Sequence, residues 1–389
     1  MKKGLRKIAA AVLAVCAAFA LWGCDGGGAG VGAGKTPDPV PEGWTEEGAA
    51  DGGALFGEPE NALIYNYCPT AFYEDENTLR VWYCSNRDNG DITDYIAYRE
   101  GRKLNGKWYW SPKELVLSPT PDTWDSRHTC DPSVVKGEFG YKGETYAYLM
   151  AYLGCVTSNS MRNETGLAVA NAPGGPWVKV AESNPIVAVP DDLRTWGYGQ
   201  PSLVSADKKG TVLLFYTAGE PSGTSGKVEK WDFSDLDAPE MLFRYTLANT
   251  GLKQLDMRAA DHISNADFAY DPVSARFYMI DDVKPTDREN APSMVSSAVR
   301  AAYFNATMPE TEFGRGLGEG AGAWRYAGVT DAERTGFSRN HNACFVTDPY
   351  GWLPTGDKVE LFYTTALLNY PMNSLWTYRI RRASVDRAI

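Results

Sequence analysis

Residues 130–135 read Cys130-Asp131-Pro132-Ser133-Val134-Val135: a polar pair, a proline, a small residue, then an apolar run. The same order of residue types returns four more times, as Tyr67-Cys68-Pro69-Thr70-Ala71-Phe72, Gly199-Gln200-Pro201-Ser202-Leu203-Val204, Ser264-Asn265-Ala266-Asp267-Phe268-Ala269 and His341-Asn342-Ala343-Cys344-Phe345-Val346. The key positions are 68, 131, 200, 265 and 342, spaced 63, 69, 65 and 77 apart. Self-similarity at such a period marks a chain built from repeated supersecondary units.

Each repeat start is followed by a turn and a second, more aromatic strand, predicted over 78–84, 145–153, 211–218, 275–280 and 358–365. Third strands are predicted over 95–99, 166–170, 241–247, 297–304 and 375–382, and weaker fourth strands at 108–110 and 177–180. These runs are β-branched and aromatic and are bounded by turn residues, and long helical periodicity is missing. Four strands in each of five repeats predict an all-β fold, a five-bladed β-propeller of four-stranded antiparallel blades around a central channel. A β-sandwich would show short strands at closer intervals without this longer period.

The N-terminus reads differently. Lys2, Lys3, Arg6 and Lys7 precede an unbroken apolar run from Ile8 to Trp22, then Gly23-Cys24-Asp25. That is the layout of a secretory signal over residues 1–23, too short and wrongly flanked for a membrane-spanning helix. Leu21-Trp22-Gly23-Cys24 resembles the lipobox of bacterial lipoproteins, which makes Cys24 the expected lipidated first residue; a plain signal peptide with an incidental Cys is the alternative. Residues 24–43 are rich in Gly and Pro and are expected to be a flexible tether to the body at 44–389. The expected location is therefore outside the cytoplasm, lipid-anchored to the cell membrane or outer membrane and facing the periplasm or exterior. Removing residues 1–23 takes four basic residues and no acidic one, moving the net charge from −11 to −15. An acidic body with scattered lysines has no footprint for nucleic acid.

In a propeller the starts of the innermost strands converge at one mouth, so Cys68, Asp131, Gln200, Asn265 and Asn342 are expected to form a ring. The antiparallel second strands return to the same mouth, bringing residues 84–88, Cys155, Glu220, Asp281 and Asp282. Entry loops add His128, His262 and His341 with Trp124, Arg127, Trp196, Tyr198 and Arg339. Aromatic planes beside amide and charged groups suit sugars, whose C–H faces pack on rings while their hydroxyls need convergent hydrogen bonds. The plainer reading is that each Trp is blade core and each His satisfies loop backbone.

Asp131-Pro132-Ser133-Val134-Val135, with Tyr148-Leu149-Met150-Ala151-Tyr152, Gly166-Leu167-Ala168-Val169-Ala170 and Gly174-Gly175-Pro176-Trp177, resembles the inner-strand and blade pattern of glycoside hydrolase family 43 and its five-bladed relatives. The resemblance implies carboxylates on several inner-strand starts, serving as base or nucleophile, as acid and as pKa tuner. Residue by residue, only Asp131 matches; Cys68, Gln200, Asn265 and Asn342 stand at the other starts. His341 resembles the channel histidine of some relatives, and the resemblance allows a channel cation such as calcium near Asp131 and His341, although no His spacing or acidic loop reads as a metal site.

Glycoside hydrolysis ordinarily takes two carboxyl groups. A hydrolase here would pair Asp131 with a substitute from Glu220, Asp281, Asp282 or Asp125, while Trp124, Arg127, His128, Trp196, Gln200, Asn265, His341 and Asn342 bind substrate. The alternative is a non-catalytic glycan-binding lipoprotein, and a third class is a structural surface protein; the expected partners are an oligo- or polysaccharide and the membrane. Among the cysteines, Cys68 and Cys84 lie symmetrically about one hairpin turn and Cys130 and Cys155 about the next. Export permits disulfides, so Cys68–Cys84 and Cys130–Cys155 are predicted, with Cys344 free; five free thiols are the alternative.

Overall fold

The computed structural model describes residues 37–48, 53–57, 63–157, 161–181, 184–191, 194–283, 296–305, 323–366 and 374–388. The expected signal and Cys24 lie outside the described residues. A compact body spans Asp38–Ile389. The described end of the expected tether already meets this body, since the Asp38 N–H donates to Asn105 Oδ1 at 3.2 Å and Asn105 Nδ2 donates to the Asp38 carbonyl at 3.0 Å. Among the described residues no helix is long and apolar enough to cross a membrane.

Nearly all regular structure is β. His128–Tyr141, Glu144–Cys155, Glu164–Ala170 and Val178–Lys179 form one antiparallel meander. Gly197–Ser205, Thr211–Glu220, Gly223–Asp232 and Glu240–Thr246 form a second. Asp267–Asp271, Arg276–Val283, Ala298–Asn305 and Arg325–Thr330 form a third. The remaining nine-stranded sheet joins a run that starts at Asn66–Asp75 to a run that starts at Arg339–Thr347. The two runs meet in a parallel pairing of Val346 with Ala71 and Thr347 with Phe72. Apolar layers fill the spaces between neighbouring sheets, as where Phe215 stacks on Phe268 with ring centroids 4.1 Å apart.

Two strand assignments differ from the sequence expectation. After Thr211–Glu220 the third strand is Gly223–Asp232, and the strand predicted over 241–247 is the fourth, Glu240–Thr246. Gly223-Thr224-Ser225-Gly226-Lys227 offers little β propensity, but full pairing with Thr211–Glu220 and burial of Val228 and Trp231 hold it in the sheet. The last strand starts at Arg379, later than expected, because Ser374–Thr377 closes a 3₁₀ turn with the Tyr378 N–H on the Leu375 carbonyl.

The repeat also explains how the sheets hold together. In four of the five repeats the short side chain two residues after the key position takes the backbone N–H of the next repeat's inner strand. Ser133 Oγ accepts from Leu203 at 2.8 Å, Ser202 Oγ from Phe268 at 2.9 Å and Asp267 Oδ2 from Phe345 at 2.9 Å. The Ala71 N–H points at the Cys344 thiol, which closes the series back onto the first repeat. Ser202 also donates to Asp267 Oδ1 at 2.7 Å. Ser202→Ala removes both of these bonds and is expected to cost about 1–3 kcal/mol, read as a lowered denaturant midpoint at unchanged m-value.

The predicted disulfides are corrected by the same strands. Cys84 bonds Cys130, and Cys68, Cys155 and Cys344 are free and buried. Symmetry about each hairpin turn fails because bulges slip the register. One between Tyr67 and Thr70 sets Cys84 opposite Tyr67. Two more, between Cys130 and Ser133 and between Lys136 and Phe139, set Cys155 opposite His128 and Cys130 opposite Leu153. The bridge therefore crosses between neighbouring hairpins, with Cα atoms 5.1 Å apart.

Candidate active site at the channel mouth

The backbone treats the five key positions alike. Cys68, Asp131, Gln200, Asn265 and Asn342 all hold left-handed φ values, of 49°, 46°, 53°, 50° and 46°. A non-glycine residue pays about 1–2 kcal/mol for that conformation, and four of the five lie in a bulge of the inner hairpin. The bulge re-aims the side chain. Cys68, Asp131, Gln200 and Asn342, with Asp267, line a central cavity of about 20 Å³, the room of a single water or ion. Asn265 reaches the same region through Asp282.

Asp131 is 9% exposed. Its Oδ1 lies 3.1 Å from Cys130 Sγ and 3.7 Å from Cys84 Sγ. Burial pushes its carboxyl up to about 7; a hydrogen bond from the Cys68 thiol opposes this and the Asp94 charge adds to it. Gln200 Nε2 lies 3.4 Å from the Cys68 sulfur.

Asp282 supplies a second carboxyl from the end of the strand Arg276–Val283. Its Oδ1 accepts the Asn342 N–H at 2.9 Å and its Oδ2 accepts Asn265 Nδ2 at 3.1 Å. Burial pushes it up to about 8; the bonds from Asn342 and Asn265 oppose this and the Asp281 charge adds to it. Burial raises the Cys68 thiol well above its ordinary value, and the charges of Asp131, Asp282 and Asp94 add to that. Both carboxyls are thus within electrostatic reach of one thiol.

Of the other expected residues, His341 stays beside the ring and the rest are held by other partners. Asp281 faces away from Asp282, as alternation along a strand requires, and is clamped by Arg300 through Nε at 3.0 Å and through Nη2. Glu220 ends its strand opposite Gly223, accepting from the Tyr198 hydroxyl at 3.1 Å. Asp125 takes Lys179 and the hydroxyls of Thr123 and Tyr152. Trp124 is half-buried and packs against its own sheet. Its ring lies 5.5 Å from Tyr152 and covers Gly154 and Gly166, where an added Cβ would come within 2.4 Å of it. His128 is buried with Nδ1 2.9 Å from Asp94 Oδ2, and Arg127 lies 3.8 Å from Asp91. His341 stands edge-on to Tyr378 at 4.8 Å with Nδ1 against Asn342 Oδ1, and burial lowers it to about 4, so it is neutral at ordinary pH. The Nε2 atoms of both His128 and His341 are buried without a protein partner.

The expected Trp196 lies at the mouth, together with Tyr65, Tyr67, Trp376 and Tyr378, which the sequence did not single out. Tyr67 and Trp196 pack on the apolar cluster of Cys68, Cys84, Cys130 and Leu153. Tyr378 meets Tyr67 edge-on at 5.6 Å, and Tyr65 lies 5.7 Å from Trp376. Tyr67 precedes a key position and was the findable one; Trp376 and Tyr378 come from a distant turn. Calcium asks for six to eight oxygen ligands, and the central donors do not fit it. Both Asp267 oxygens already hold protein donors, and Asn342 Oδ1 is taken by His341.

Asp131, Asp267 and Asp282 share one consequence. All three are raised in the fold, Asp267 to about 6 by burial, against bonds from Phe345, Ser202 and Phe268. Through these three groups the native state holds more protons than the unfolded chain between about pH 4 and 8, and their contribution to stability falls as pH rises through that window, while His341 acts in the opposite sense below about pH 6.5. Each group contributes a slope of at most about 1.4 kcal/mol per pH unit. Melting temperatures measured across that range are expected to decline, and Asp282→Asn to flatten the alkaline part.

No protein-family model matches the chain, and no curated protein matches it by sequence. Solved structures match it by fold. Zg3597, a family 117 glycoside hydrolase from the marine bacterium Zobellia galactanivorans, superposes with a TM-score of 0.54 at 12% identity, covering 88% of this chain and 90% of its own. A thermostable family 43 glycoside hydrolase gives 0.51 at 14% identity, covering 84% and 91%. The GH43_1 enzyme from Xanthomonas citri, solved with xylotriose, gives 0.50 at 14% identity, covering 84% and 88%. The likeness is one of fold: the chain has the β-propeller architecture of these glycoside hydrolases.

Proposed function

We propose that this chain is a five-bladed β-propeller that hydrolyses a glycosidic bond at its channel mouth, with Asp131 as base or nucleophile and Asp282 as acid. The observation that carries the reading is the position of Asp282. Only one of five key positions is acidic, yet a second-strand end brings another buried carboxyl onto Asn265 and Asn342. With Asp131 raised to about 7 and Asp282 to about 8, one is ionised and the other protonated between those values, the division of labour that acid–base catalysis needs. Tyr67, Trp196 and Tyr378 offer rings for sugar faces, and Gln200 and Asn342 offer amides for hydroxyls. The N-terminal signal and Cys24 fit export and lipid anchoring at the cell envelope, with an oligo- or polysaccharide as the partner outside.

A second reading has its own support. The Thr364, Cys84 and Thr217 side chains accept the N–H of Cys68, Asp131 and Asn265 just as Asp282 accepts that of Asn342. On that view Asp282 is a structural acceptor and the mouth binds glycan without cleaving it. A pH–rate profile separates the two. Hydrolysis gives a bell with limbs near 7 and 8 whose alkaline limb disappears in Asp282→Asn; a profile unchanged by that substitution removes Asp282 from the chemistry.

A further inference from the structure

The sulfur cluster beside Asp131 has no part in that hydrolysis. Cys68 is a free buried thiol. Its sulfur, the Cys84 sulfur and an Asp131 carboxyl oxygen all lie within 4.8 Å of one another. Cys84 is bridged to Cys130, whose sulfur lies 3.1 Å from Asp131 Oδ1 and 3.1 Å from the Tyr67 hydroxyl. A thiol beside a disulfide, a base in contact with both the attacking and the leaving sulfur, and a hydroxyl donor at the leaving sulfur are the parts of thiol–disulfide exchange.

We propose that the channel mouth is a thiol–disulfide exchange site, in which Cys68 attacks Cys84 and the bridge migrates from Cys84–Cys130 to Cys68–Cys84. The step is an isomerisation. A bond forms between the Cys68 and Cys84 sulfurs while the bond between Cys84 and Cys130 breaks. Asp131 takes the proton from Cys68 and passes it to the departing Cys130 sulfur, which the Tyr67 hydroxyl stabilises meanwhile. One thiol and one disulfide stand on each side, so no oxidant or reductant is consumed. Proton transfer to Asp131 is what opens the route, because burial and the charges of Asp131, Asp282 and Asp94 all disfavour a free Cys68 thiolate. Cys84 is common to both bridges, and Cys68 leaves the ring as a donor to Asp131 when it is bridged.

The test is disulfide mapping under non-reducing conditions, with acid quenching and alkylation in denaturant, on the full-length wild type and on Cys130→Ser. The proposal expects Cys130→Ser to carry a Cys68–Cys84 bridge. In the wild type it expects the same bridged peptide as a minor isomer of roughly 0.1–10%, with Cys130 alkylated in matching amount. Asp131→Asn is expected to slow the approach to that ratio by roughly 100-fold while leaving the bridge Cys84–Cys130 intact. Free thiols at both Cys68 and Cys84 in Cys130→Ser would overturn it. Should that variant not fold, a wild type holding no Cys68–Cys84 peptide after prolonged incubation at mildly alkaline pH would do so instead.

Discussion

Asp131→Asn is expected to lower turnover of a cleaved glycoside by roughly 1,000-fold or more and to change glycan affinity by less than about threefold. Asn is the replacement that isolates the chemistry. It tolerates the left-handed backbone at φ 46° and keeps an oxygen for the Cys68 thiol, while removing the ability to ionise. The fold and the aromatic wall of Tyr67 and Trp196 are therefore left in place. A site that only binds sugar would show no such split between kcat and affinity. Asp282→Asn is expected to lose turnover as well, but with a second signature: its amide cannot accept from both the Asn342 N–H and Asn265 Nδ2, so about 1–3 kcal/mol of stability goes with it. Steady-state kinetics beside equilibrium unfolding distinguish the two variants.

Cys84→Ser is expected to cost about 4 kcal/mol of stability under oxidising conditions, from the chain entropy released when a bridge of 46-residue separation is lost. Cys68→Ser keeps the bridge between Cys84 and Cys130 and is expected to cost far less. Cys130→Ser falls between them if the bridge moves, since a loop of 16 residues still returns about 3 kcal/mol. Denaturant midpoints of the three variants, measured side by side without reductant, give the order directly; equal losses in Cys84→Ser and Cys130→Ser would show that Cys68 does not substitute.

The repeat was legible because it is carried by residue type at fixed offsets. The proline or alanine after each key position recurs in all five inner strands, and the short acceptor two residues on serves the same backbone need in four of them, so they leave a mark in the chain. Ser133, Ser202 and Asp267 fall within the repeat, but their work between neighbouring sheets depends on which strands adjoin in space. The disulfides were misread for a local reason: a bulge is one extra residue, and one or two of them are enough to move Cys130 and Cys155 out of register. Glu220, Asp281 and Asp282 were placed together because all three fall near second-strand ends. Alternation then turns Asp281 to Arg300 and leaves Asp282 at the ring. Trp376 and Tyr378 belong to a turn outside the repeat, and nothing in their sequence context connects them to residues more than 300 positions earlier.

In the proposed function the mouth both holds and cleaves a glycan. The most direct test is a panel of neutral oligosaccharides and chromogenic glycosides offered to the wild-type protein between about pH 7 and 8, the window set by Asp131 and Asp282, with bound and released sugar measured in the same samples. At least one glycan is expected to be bound and released as product by the wild type, and bound but uncleaved by Asp131→Asn. Absence of both binding and release across the panel, or release that persists undiminished in Asp131→Asn, would contradict it.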